Sequence, residues 1–101
     1  MRNNTILNLF VYGDVLELVT SQLIDLPVVV KRINNQYRVQ VLCDYVAIRR
    51  GEIEVHYYDR EERDFFFIRI AESLIFRCTI FSKEIAPDDF EDEFEHIDDG
   101  K

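Results

Sequence analysis

Three runs of large apolar side chains, 53–58, 65–70 and 74–81, alternate with charged clusters in the second half of the chain, and each is rich in aromatic and β-branched residues. Such composition favours strands. In the first run Ile53, Val55 and Tyr57 share one face while Glu54, His56 and Tyr58 share the other, the period-two pattern of a sheet with one wet side. The second run breaks that alternation, because Phe65, Phe66, Phe67, Ile68 and Ile70 put apolar groups on both faces. It therefore calls for cover on two sides, from closure of the sheet, the amino-terminal segment, the carboxy-terminal tail or a second copy of the chain.

Upstream, 5–12 is apolar apart from Asn8 and is stopped by Gly13-Asp14, which predicts a buried strand. Asp14 and Glu17 have capping-box spacing, and Val15, Leu16, Leu18, Val19 and Leu23 fall on one side of a helical wheel. A helix over 15–24, closed by Pro27, follows, with a strand over 15–20 as the competing reading. Runs 28–33 and 37–43 flank Asn34-Asn35-Gln36 as a hairpin, with Tyr37, Val39, Val41 and Cys43 pointing one way and Arg38 and Gln40 the other. Run 45–49 turns through Arg50-Gly51 into 53–58 as a second hairpin, and the charged residues 59–64 form an exposed connection at the far end of that strand.

These elements predict a strand-dominated α+β fold: a mostly antiparallel sheet or small open β-barrel of five to seven strands, with one N-terminal helix and a short acidic C-terminal helix or tail. A helix followed by short strands, with Arg50-Gly51 before an apolar strand, distantly resembles an Sm-like barrel, although the acidic and asparagine signature of that family's central hairpin is missing. The expected organisation is one compact domain over 1–86 and an acidic tail over 87–101.

Charge is uneven along the 101 residues. The net charge of −8 hides a nearly neutral body, since residues 1–82 hold eleven acids and ten Lys or Arg, while 83–101 hold nine acids against Lys83 and Lys101. A field of that sign repels nucleic acid and attracts exposed Lys and Arg. In the tail Phe90, Phe94 and Ile97 are spaced four and then three apart, so a helix would line them on one face and put acids around the rest. An isolated helix of that length is marginal in water, which predicts that it forms only when the phenylalanines dock.

Candidate chemistry is sparse. Glu52, Glu54 and His56 alternate on one strand and could share a metal or form an acid/base set, but a solvated sheet face is the expected role. Cys43 and Cys78 have no close-spaced thiol or histidine partner and read as buried thiols, with a disulfide between adjacent strands as the alternative. Gly13, Gly51 and Gly100 are the only glycines, which leaves no material for a phosphate-cradling loop. Tyr57, Tyr58, Phe65, Phe66 and Phe67 with Arg38, Arg49 and Arg50 have the residue types of a base-stacking surface, yet a domain of this size needs its phenylalanines inside. The first apolar run is too short to span a membrane and lacks a cleavage pattern, which points to the cytoplasm.

The expected function is non-catalytic protein binding without a cofactor or bound metal, and without direct contact to nucleic acid or membrane. Asp88, Asp89, Glu91, Asp92, Glu93 and Glu95 would meet a partner's basic surface, with Phe90 and Phe94 as buried anchors. A phosphate-mimicking inhibitor or adaptor of nucleic-acid enzymes, of the anti-restriction or anti-CRISPR kind, is its specific form. The alternatives are a structural subunit or homo-oligomer joined through 65–70, and a metal-dependent enzyme built on Glu52, Glu54 and His56.

Overall fold

The computed structural model describes residues 5–82. Strand β1 (Thr5–Tyr12) runs without a loop into helix α1 (Gly13–Gln22), followed by β2 (Val28–Ile33), β3 (Gln36–Cys43), β4 (Tyr45–Arg49), β5 (Glu52–Asp59) and β6 (Asp64–Ala71). A single 3₁₀ turn, Glu72–Leu74, then leads to β7 (Arg77–Ser82). The strands form two antiparallel sheets, ordered β2-β3-β1-β7 and β4-β5-β6. The sheets are separate, so the fold is strand-dominated α+β but not a closed barrel, and the helix follows the first strand, in the order the sequence predicts.

The continuous apolar sequence of β1 reflects its place, since it lies between β3 and β7 with residues 5–11 all buried. Leu7, Leu9 and Val11 point to a core shared with Val39 and Val41 of β3, Ile53, Val55 and Tyr57 of β5, Ile70 of β6 and Val19 of α1. Both the helix and the three-stranded sheet thus pack on one face of the four-stranded sheet.

Several local expectations need correction. The helix begins at Gly13 after the extended Tyr12, with no side-chain cap, so Asp14 sits in the first turn and the Asp14–Glu17 capping box is not used. Leu18 is half exposed instead of joining the buried stripe. The run 74–81 is not one strand, because Leu74 closes the 3₁₀ turn and Ile75 donates its N–H to the Glu72 carbonyl at 3.0 Å. Of the two hairpins, β4–β5 turns through Arg50 (φ 52°) and Gly51 (φ 80°), both left-handed, as a two-residue turn matched to strand twist requires. A Cβ on Gly51 would meet nothing within 4 Å, so its conformation and not its space favours glycine there.

Two features were not foreseen. Arg38 and Gln40 do face away from Val39 and Val41, as the alternation requires, yet both are fully buried. Asp44, the single residue between β3 and β4, joins the sheets: its backbone oxygen accepts from Thr5 Oγ1 at 3.2 Å and its Oδ2 from the Tyr58 N–H at 2.8 Å.

Candidate functional site

The outer face of the three-stranded sheet gathers most of the described candidate residues. Antiparallel register sets Tyr45, His56 and Phe67 in one row, Ala47, Glu54 and Arg69 in the next, and Arg49, Glu52 and Ala71 in the third. The His56 ring stacks on Phe67 at 5.1 Å between centroids and meets Tyr45 edge-on at 5.2 Å, while the Arg69 guanidinium lies 4.9 Å from the Phe67 centroid.

Glu54 is the centre of this face. Its Oε1 lies 3.2 Å from His56 Nε2 and 3.7 Å from Arg49 Nε, its Oε2 lies 3.7 Å from Arg69 Nε, and its side chain is only 14% exposed. The hydrogen bond from His56 holds the carboxyl below its ordinary range against the opposing effect of burial, and Arg49 and Arg69 lower it further. As an ionised acceptor, Glu54 requires His56 to donate from Nε2. Arg69 also lies 3.6 Å from Glu52. The three residues singled out as possible ligands therefore do share a face, but Glu54 is engaged by two guanidinium groups that would repel a divalent cation. Among the described residues no set of three or more His, Cys, Asp or Glu is placed to hold a metal.

The sign of the pH effect follows from the lowered Glu54 value. A carboxyl depressed on folding contributes stability above its unfolded pKa and loses it as pH falls through the folded one. Glu54→Gln should therefore be less stable than the parent near neutrality, and the difference should shrink on acidification through and below the ordinary carboxylate range. Denaturant midpoints of both proteins across that range check this; parallel curves would remove Glu54 from the pH response.

The base-stacking set is dispersed. Tyr57 is buried on the inner face, Arg38 belongs to the other sheet, and Phe66 pairs with Tyr57 at 6.1 Å on the inner side. An open cleft of about 280 Å³ beside Tyr57, Tyr58 and Arg60 is bordered by Asp25, Asp59 and Glu61, a charge pattern unsuited to phosphate. Burial pushes the Cys43 thiol up to about 12 and raises that of Cys78, so neither favours the thiolate. The two cysteines are free, and β1 separates their strands, which removes the adjacent-strand disulfide.

What remains is an open edge. Among the described residues strand β6 pairs only with β5, and its Phe65, Phe66 and Phe67 are 55%, 40% and 46% exposed. The tail residues expected to bind a partner, Asp88, Asp89, Phe90, Glu91, Asp92, Glu93, Phe94 and Glu95, lie outside the described residues. No protein-family model, curated protein or solved structure matches this chain.

Proposed function

We propose that this protein is a non-catalytic protein-binding module. The observation that carries the reading is β6: three consecutive half-exposed phenylalanines on a strand at the edge of its sheet offer apolar anchors together with main-chain groups that no described strand pairs. Natural edges of this kind are usually short, charged or covered, so an open aromatic one has the character of an interface. The acids of 87–101 would select a partner with a basic surface, which includes nucleic-acid-binding enzymes, and would act chiefly on association rate.

The test uses the full chain as bait in host lysate beside two variants, Phe65→Ser with Phe67→Ser, and a tail in which Asp88, Asp89, Glu91, Asp92, Glu93 and Glu95 become their amides. A basic protein captured by the parent should be lost with the first variant and show weaker salt dependence with the second. Capture unchanged by both variants would overturn the reading. A second copy of the chain is the other occupant favoured by the open β6 edge, and it predicts a sedimentation mass that rises with concentration and drops to one chain in the Phe65→Ser, Phe67→Ser variant.

A further inference from the structure

The cleft beside the turn from β5 to β6 holds a polar group that the fold leaves unsatisfied. Residues 25–27, ahead of β2, form one wall, and residues 57–61, at the end of β5 and in its turn, form the other. Tyr57 is only 8% exposed, and among the described residues its hydroxyl has no hydrogen-bond partner. Burial first, and then the carboxylates of Asp25 and Asp59, push its ionisation up, which sets the hydroxyl beside two acids of the cleft. A buried hydroxyl is costly unless something binds it. Three acids, Asp25, Asp59 and Glu61, line the cleft against one cation, the exposed Arg60. Among the described residues none of the three is in a salt bridge. Asp59 is held in place, since its Oδ1 accepts from the Glu61 and Glu62 N–H groups at 2.9 and 3.1 Å, which leaves Oδ2 without a described donor.

We infer that this cleft takes a guanidinium group, the side chain of an arginine on the partner that docks at β6. Carboxylates on two walls with a neutral oxygen beside them suit a flat group with five diverging donors, which can satisfy several acceptors at once. A guanidinium is also less strongly hydrated than an ammonium, so it gives up less on entering a partly enclosed site. A bare metal ion fits poorly, because among the described residues no three His, Cys, Asp or Glu are placed to hold one. The volume of about 280 Å³ lies just under the usual roughly 300–1,000 Å³ of ligand pockets, room for a side chain more than for a cofactor. The cleft also adjoins the proposed interface, since Tyr58 meets Phe65 edge-on at 5.0 Å and Tyr57 lies 6.1 Å from Phe66. A segment laid along the start of β6 would therefore have the cleft at its end. That the arginine belongs to a partner rests on the protein-binding reading; that the cleft takes a guanidinium does not, so either can fail alone.

The full chain, titrated with N-acetylarginine amide, should show saturable NMR shifts at the amides of residues 25 and 57–61. N-acetylcitrulline amide, which has the same shape without the charge, should give none, and N-acetyllysine amide should bind severalfold more weakly. Asp25→Asn with Glu61→Gln should weaken the arginine probe about tenfold. Tyr57→Phe should weaken it severalfold yet leave the thermal midpoint unchanged or higher, because the hydroxyl has no partner in the fold to lose. A midpoint that falls would mean that the hydroxyl serves the fold, and would overturn its role in the site. Lysine bound as tightly as arginine, shifts that do not saturate, or affinity that ignores both sets of variants would overturn the guanidinium site. An acetylated peptide of alternating threonine and valine with one terminal arginine should bind more tightly than the single amino acid and lose that gain in the Phe65→Ser, Phe67→Ser variant. Equal affinity of the two would separate the cleft from any partner on β6.

Discussion

Replacing Leu9 by alanine is expected to remove about 2–5 kcal/mol of stability, a large share of the roughly 5–15 kcal/mol typical of a domain. Leu9 is fully buried at the middle of β1, paired with Val39 on one side and Cys78 on the other, in the core that both sheets and the helix share. Truncation therefore opens a cavity where three layers meet, and the surrounding strands cannot collapse into it without breaking register. Thermal unfolding should shift by about 10 °C or more, at about 4–8 °C per kcal/mol for a domain of this size. Leu9→Met conserves volume and should cost less than about 1.5 kcal/mol. Leu18→Ala on the exposed side of the helix should stay within about 0.5 kcal/mol. Equal effects of Leu9→Ala and Leu18→Ala would contradict the assigned core.

Asp44→Ala is expected to have the next largest effect, about 1.5–3 kcal/mol, the range for a hydrogen bond to a charged group. Its carboxylate holds the Tyr58 N–H at 2.8 Å beyond the end of β4, while its own N–H donates to the His56 carbonyl at 3.0 Å. Alanine keeps the backbone bond and orphans the Tyr58 donor. Asn can still accept from that donor, so Asp44→Asn should recover much of the loss, and hydrogen exchange at Tyr58 should separate the two variants more sharply than global stability does. Equal exchange at Tyr58 in the Ala and Asn variants would show that the side chain does not hold the junction.

The strands were legible because their signal is local. Alternation in 53–58 gives the inner and outer faces of β5 directly, and Arg50-Gly51 marks its hairpin. Local signals carry less about partition into sheets: nothing near Asp44 announces that the chain leaves one sheet and enters another there. The helix start was misplaced because a capping box is a preference that a strand running straight into a helix overrides. The aromatic load of 65–70 was read as a strand covered on both faces with its phenylalanines inside, whereas Phe65, Phe66 and Phe67 are about half exposed on a strand that pairs, among the described residues, with β5 alone, a placement that depends on which strands pair. Alternation put Arg38 and Gln40 on the face opposite Val39 and Val41, as found, but their burial is not something a period-two pattern encodes. The Glu54 cluster was visible as spacing, while the arginines that engage it come from β4 and β6 and were legible only through register.

The order of strands also bears on how the chain matures during synthesis. Strands β4, β5 and β6 are consecutive and joined by short turns, so their sheet can close as soon as residue 71 has emerged from the ribosome. Strand β1 is made first but needs β7, with Thr5 paired to Ser82, so the four-stranded sheet stays incomplete until nearly all the described chain has emerged. Contacts of such long separation are slow to form. A nascent chain that has emerged only as far as residue 76 holds one finished sheet and one raw, apolar edge on β1, a state exposed to aggregation or to chaperone capture.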